Sequence, residues 1–338
     1  MPKTDNSHQR IETTQQIKHF LSVGLFLSVG IIVFNLSAIV PASLFHRPHE
    51  QNTGQRIVVR AQDSISYLAL RQYGFYSDSL LAILKHANGH IPDWQNLQPG
   101  ETIEFPALPA SAPRIETLRS EAALAVLTFM EGDVKCLRGL SRQYQPAKLN
   151  LILRPGDEIL TAKNGRAELV LDQRSVLRLE ANSRLRIIRL HRDQQAQGSY
   201  QGAFDLMVGA LWARIARIMD RTPKVDVQFP TAIAGVQGTS YRARVEADSS
   251  TNVRVYEGSV EVRSRPAGPP QQIGPPQRVP GPRQISLEAW VKSVRAQQEI
   301  NIARNGRPGE PQTFTDQGAE AAWVGWNQAR DRDLNAGR

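Results

Sequence analysis

The sequence is almost without cysteine. Cys136 stands alone in 338 residues, so no intrachain disulfide can form and no four-thiolate zinc site can be assembled. Histidine is scarce as well, at positions 8, 19, 46, 49, 86, 90 and 191, with no HExxH pair, and no GxSxG elbow occurs. Those absences exclude zinc-peptidase and serine-hydrolase chemistry. Acidic residues are outnumbered, 32 against 41 Lys and Arg, leaving a net charge of +9 that points to anionic partners. Charge is missing altogether from Phe20 to Phe45.

That uncharged stretch is the first positive signal. Phe20 to Val40 is 21 residues of apolar or small side chains, and such a helix spans about 30 Å, the thickness of a bilayer core. A transmembrane helix is therefore expected over residues 20–42. Lys3, Arg10 and Lys18 precede it, which keeps residues 1–19 cytoplasmic and exports the rest. A retained inner-membrane anchor is preferred to a signal peptide cleaved before Ser43, although Val40-Pro41-Ala42 offers a small-residue site. In either case the bulk lies in the cell envelope or periplasm, and nucleic acid is not an expected partner.

After a polar tether, residues 57–106 read strand, helix, helix, strand. Asp63 and Ser64 supply capping side chains for a helix carrying Ile65, Leu68, Ala69 and Tyr73, and Gly74 stops it. Leu80, Leu81, Leu84 and Ala87 form a second apolar stripe ended by Asn88-Gly89, and Pro99-Gly100 turns into the alternating run ETIEF. The segments IVVRAQDSISYLA, RQYG, LLAILKHAN and LQPGETIEFP resemble the lysin motif, LysM, except that Gln62 stands where that family usually has Gly. The resemblance implies a small α+β (βααβ) domain that binds peptidoglycan or another N-acetylglucosamine polymer between its two loops. Those loops correspond to Gln62, Asp63, Ser64, Ile65 and to Gly89, His90, Ile91, Pro92, Asp93. Loop amides and carbonyls suit acetamido groups, while Ile65, Ile91 and Trp94 suit methyls and sugar faces. The plainer reading, caps and core alone, stays open.

From Val126 the pattern changes to short β-rich runs between Gly, Asn and Asp turns, the signature of an all-β sandwich or jelly-roll-like domain over 126–264. A two-residue loop at Glu257-Gly258 predicts a hairpin with Val255 opposite Val260, Val253 opposite Val262 and Arg254 opposite Glu261. The Pro155-Gly156-Asp157 turn, TAKNGRAELVL, GALWARI, VDVQFPTAIAGVQGTSYRARV and VYEGSVEV resemble the FecR-type periplasmic domain. Proteins best known for that domain relay a signal from an outer-membrane receptor to a sigma factor through a sizeable cytoplasmic domain. Only residues 1–19 precede the apolar stretch here, so the sigma-factor role is not carried over.

A Pro-rich linker over 265–283 leads to a tail, 284–338, in which Leu287, Trp290, Val291 and Val294 fall at helical spacing and Trp323, Val324 and Trp326 mark another helix, expected to dock on the β domain. The expected architecture is thus multidomain.

Several strings invite chemistry and are read down. Gly235-x-x-Gly238-Thr239 lacks the Lys and the following helix of a phosphate loop. His86 and His90 are separated by a helix end, so no metal and no cofactor are expected. Cys136 has basic neighbours, Lys135 and Arg138, but no nucleophile motif. Arg184 and Arg186 alternate with Leu185 and Ile187, which makes a stripe for an anionic partner or simply a solvated strand face. The leading expectation is a non-enzymatic envelope protein that binds peptidoglycan through the LysM-like unit and a protein partner through the FecR-like domain. The alternatives are a transmembrane signalling component using the β domain as periplasmic sensor and, least, a cell-wall enzyme.

Overall fold

The computed structural model describes residues 54–108, 124–171, 175–193, 199–216, 224–236, 238–265 and 290–336. The expected membrane span 20–42, the cytoplasmic residues 1–19 and nearly all of the Pro-rich linker lie outside them. Among the described residues no helix is long and apolar enough to cross a membrane.

A βααβ unit comes first: β1 (Gln55–Val58), α1 (Ile65–Tyr73), α2 (Asp78–Ala87) and β2 (Thr102–Phe105), with β1 antiparallel to β2. Ser64 caps α1 by accepting from the Tyr67 amide, and Ser77 caps α2 by accepting from the Leu80 amide. Gly74, at φ 78°, ends α1 in the left-handed conformation. The side chain of Asn88 replaces strand partners at the far end: its amide donates to the Leu84 and Glu104 carbonyls while its oxygen accepts from the Glu104 amide.

Sixteen strands follow: β3 (Ala125–Glu131), β4 (Val134–Leu137), β5 (Gln145–Pro146), β6 (Glu158–Thr161), β7 (Arg166–Leu171), β8 (Val176–Leu179), β9 (Arg184–Asp193), β10 (Ser199–Arg214), β11 (Lys224–Gln228), β12 (Ala232–Val236), β13 (Ser240–Val245), β14 (Thr251–Glu257), β15 (Ser259–Ser264), β16 (Val291–Arg295), β17 (Gln298–Ile302) and β18 (Gln312–Thr313). A closing helix, α3, runs Gly318–Ala336. Sheet I has the order β3-β7-β8-β10-β13-β14-β17-β18, and sheet II the order β5-β4-β6-β9-β10-β11-β12-β15-β16. The long strand β10 belongs to both: Ser199 to Val208 pairs with β9, and Gly209 to Arg214 pairs with β8 and β13. Alternating apolar residues from both sheets, among them Leu169, Leu177, Leu185, Phe204, Leu211, Tyr241, Val253 and Val260, fill one core.

The fold is therefore mostly β with few helices, and two local expectations fail. The β14–β15 hairpin does not exist. Val253 pairs with Ala243 and Ile300 in sheet I, whereas Val262 pairs with Ala234 and Lys292 in sheet II. Gly258, at φ +76°, carries the chain from one sheet to the other, so both valine pairs reach the core from opposite sides. The helix expected through Val291 and Val294 is strand β16 instead, because the free edge of β15 supplies a hydrogen-bonding partner that a helix cannot use. Strands β16, β17 and β18 of the tail thus complete the two sheets.

Two glycines hold the sheet crossings. A Cβ on Gly209, at φ +95°, would lie 2.3 Å from Ser183 Oγ and 2.6 Å from the Asn182 carbonyl oxygen, and one on Gly258 would lie 2.7 Å from the Gly238 carbonyl oxygen. Gly209→Ala and Gly258→Val should each lower stability by at least about 2 kcal/mol, read as a shift in the denaturant midpoint. Gly100→Ala, at φ +96° but facing open space, should lose only the conformational part, about 1 kcal/mol. Equal losses at all three positions would remove close packing as the cause.

Candidate functional site

The outer face of sheet I carries one residue per strand in a single hydrogen-bonded row. Phe129 stands opposite Glu168, Glu168 opposite Arg178, Arg178 opposite Trp212, Trp212 opposite Arg242, Arg242 opposite Arg254, and Arg254 opposite Glu299. Strand alternation that aims Leu169, Leu177, Leu211 and Val253 inward aims this row outward. Yet Glu168, Arg178 and Trp212 are fully buried, because α3 lies across them.

The fit follows from two repeats. Glu320 of α3 meets Arg242 on β13, and Arg330 meets Glu168 on β7. Ten helical residues rise about 15 Å, and three strand spacings from β7 to β13 cover about 14 Å. Arg330 grips Glu168 with Nε at 2.6 Å and an Nη at 2.8 Å, while Arg178 Nε donates to the same carboxylate at 2.8 Å. Asp331 accepts from Arg178 at 2.6 Å and from the Trp212 indole at 3.0 Å. Arg242 and Arg254 are like charges set opposite each other, and Glu320 bridges them. Trp323 and Trp326 stack with centroids 5.2 Å apart, and Trp326 packs against Phe129.

Burial alone would raise the Glu168 carboxyl, but Arg330 and Arg178 more than offset it and draw it down to about 2. Burial raises the Asp331 carboxyl against the opposing pull of Arg178. Arg330 also joins the βααβ unit, since its guanidinium lies 4.6 Å from the Tyr67 ring centroid and 5.0 Å from that of Phe129. The Tyr67 hydroxyl donates to Asp333 at 2.8 Å.

The loop residues expected to touch glycan separate into two groups. Ser64, Ile65 and Ile91 are buried, and Ser64 donates its hydroxyl to the Thr128 carbonyl of β3 at 2.6 Å. Gln62, Gly89, His90, Pro92 and Asp93 are exposed. Gln62 adopts φ 71°, the conformation glycine takes, so the departure from the LysM pattern leaves the turn in place. Asp63 is half-buried and accepts from the Arg60 amide; His90 bonds the Thr102 carbonyl, and Asp93 accepts from the Gln95 amide. Between the two loops stands Asn150 from the β-sandwich, accepting from the Ser66 amide at 3.0 Å and donating to the Trp94 carbonyl at 3.1 Å.

Arg184 and Arg186 do lie on the outer face opposite the buried Leu185 and Ile187, but Arg186 is committed to Glu158 at 2.6 Å. The same face carries Arg263–Asp226 and Arg265–Asp205 pairs. Cys136 is a core residue of β4 whose thiol burial pushes up to about 11, so the basic neighbours do not activate it. Among the described residues no group of His, Cys, Asp and Glu is placed to hold a metal ion. The row on sheet I was missed in the sequence because charged residues alternating with apolar ones read as a solvated face. The one available signal was the stripe Trp323, Asn327, Arg330, Asp331 and Leu334, which puts polar residues among the docking face of a helix.

Glu168→Gln should cost about 3–5 kcal/mol near neutral pH by leaving two buried guanidiniums short of a carboxylate. Because the folded pKa of Glu168 lies below its usual 4.5, its contribution is present above that pH and lost as pH falls toward 2. The gap between wild-type and variant denaturation midpoints should therefore close by a few kcal/mol over that window. A gap independent of pH would show that the Glu168 charge is not what the arginines require.

The FecR protein family matches residues 157–261, from the start of β6 into β15. Two crystal structures of a protein assigned as an anti-sigma factor, from Parabacteroides distasonis ATCC 8503, are similar at 17% identity. They cover 49% of this chain at TM-scores of 0.34 and 0.33, a likeness too slight to carry an inference. This chain spans 64% and 63% of theirs. No curated protein matches. The family match reaches neither the βααβ unit nor α3, and peptidoglycan binding draws no support from these comparisons. Residues 157–261 of this chain are a FecR domain.

Proposed function

We propose that the chain is a non-enzymatic regulatory component of the cell envelope, in which the FecR domain serves as the periplasmic part of a transmembrane signalling protein and acts by contact with a protein partner. The FecR match carries this reading, and it favours the signalling alternative over wall binding as the main role. The ionisable groups that burial brings together support it. Glu168, Arg178, Arg330 and Asp331 are spent on one another, and a carboxylate gripped by two guanidiniums is a structural joint, with no free base or acid to offer a substrate. The uncharged stretch at 20–42 supplies the anchor in this reading and residues 1–19 the cytoplasmic contact.

A second reading, glycan contact by the βααβ unit, is favoured by one observation. The chain there has the strand, helix, helix, strand order of the unit described by resemblance, with β1 antiparallel to β2 and α1 bounded by Ser64 and Gly74.

The protein should stay in the membrane pellet after a carbonate wash, since hydrophobic insertion is not screened by salt. Protease added to spheroplasts should digest the β-sandwich while sparing a tag before Lys3. A photocrosslinker placed within residues 1–19 should trap a discrete cytoplasmic protein in living cells. A soluble, shortened periplasmic form would reject the anchor, and the absence of any cytoplasmic adduct would reject the signalling role.

A further inference from the structure

A strand at the edge of a sheet leaves a row of backbone N–H and C=O groups without a partner, and three of the four edges of the two sheets are blunted. At one end of sheet I the segment 150–153 lies along β3: the Asn150 and Leu153 amides donate to the Leu127 and Ala125 carbonyls, and the Leu127 amide donates to the Leu151 carbonyl. At the other end β18 is only two residues long. In sheet II the edge strand β5 is also two residues long, and one of them is Pro146. The fourth edge is β16, five residues paired with β15 on one side and, among the described residues, with no strand on the other. The Trp290 carbonyl and the Ala296 amide bond toward β15, so antiparallel alternation turns the N–H and C=O groups of Val291, Ser293 and Arg295 to the open side. The Arg295 amide is taken by the Gln298 side chain at 3.1 Å. No proline or bulge interrupts this strand, and Lys292 is held by Glu310 at 2.6 Å. Val291 stands 62% exposed on the outer face.

We propose that this edge is a self-pairing interface: β16 of one molecule adds antiparallel to β16 of a second copy, joining their two sheets II across a two-fold axis at Ser293. The strand reads VKSVR, and centring it on Ser293 is the register in which all five residues overlap. That register sets Ser293 opposite Ser293 of the second copy, Val291 opposite Arg295, and Lys292 opposite Val294. No like charges meet, and the aliphatic stem of Arg295 covers the exposed valine. Centring on Lys292 or on Arg295 would set that charge against its own copy. The Ser293 register is therefore self-complementary in backbone and in side chains, as a two-fold contact requires. Five residues a side bury far less than the roughly 1,600 Å² of a standard interface, so the pair is weak in free solution and gains where copies are confined to one surface. The pairing rests on the strand edge alone; only that confinement draws on the anchor of the proposed function.

The test traps the pair as a disulfide in the purified full chain, so that it stands or falls separately from the anchor. Directly opposed Cα atoms in such a pair lie about 5.5 Å apart, within disulfide reach. Under mild oxidation Ser293→Cys should cross-link to its own copy at least about tenfold faster than Glu261→Cys. Glu261 is the neighbour of Ser293 on β15, and its two copies would stand three strand spacings, about 14 Å, apart. Val291→Cys and Arg295→Cys should cross-link with each other when mixed, and neither with itself. Wild type, which carries the buried Cys136 alone, should give no dimer. Ser293→Pro removes an amide on the open side and none that β15 uses, so the chain should still fold, and this change added to both mixed variants should abolish their cross-link. Equal rates for Ser293→Cys and Glu261→Cys would overturn the interface. Self-cross-linking of Val291→Cys as fast as the mixture would overturn the register and the two-fold pairing. A mixed cross-link that survives Ser293→Pro in folded chains would overturn backbone pairing as its cause.

Discussion

Guanidinium groups cannot be taken out of water unless carboxylates go with them, and sheet I takes Arg178 and Arg242 almost wholly out of water. Their partners come from three places: Glu168 from the same row, Glu180 just after β8, and Asp331 and Glu320 from a helix at the far end of the chain. The row therefore exists as a buried structure only while α3 covers it. A buried ionic joint of this kind contributes little net stability compared with an apolar one, but it discriminates strongly, since a helix shifted by one turn would leave charges unpaired. The pairing of a 1.5 Å helical rise with a strand spacing of about 4.8 Å makes one register fit the whole row.

The same joint gathers the βααβ unit. Arg330 is held by Glu168 and flanked by the rings of Tyr67 and Phe129, so one side chain touches the sandwich, the closing helix and the small unit together. Val126, Val170 and Val176 from the outer face of sheet I and Leu334 from α3 extend the apolar core of the βααβ unit. A module that by resemblance would be a bead on a string is thereby packed into the body of the molecule. Its loops are oriented by that packing, with the Asn150 side chain of the sandwich bonded between them.

The net positive charge takes on a different meaning in this setting. Many of the arginines that make the sequence basic are committed to carboxylates, in the buried row and also on the outer face of sheet II through Arg186–Glu158, Arg263–Asp226 and Arg265–Asp205. Composition alone points to anionic partners. The placement of the charges shows how much of that composition is spent internally.

Local chemistry was legible in the sequence wherever a residue acts on its immediate neighbours. Ser64 and Gly74 bound α1 because caps need only a hydroxyl or a missing Cβ at the right position, and strand alternation identified Leu185 and Ile187 as buried opposite Arg184 and Arg186. The FecR resemblance was legible for the same reason, in turns and alternation that recur in order. The tertiary structure alone decided which sheet each strand joins. Alternation at β14 and β15 is the same whether the strands pair with each other or face each other across a core, and only Gly258 crossing between sheets distinguishes them. It also decided the fate of the polar half of every strand. An outward-facing Glu168 or Arg178 looks solvated until a helix more than a hundred residues away covers it, because burial is a property of the assembled surface and the charges that compensate one another are brought together only by folding.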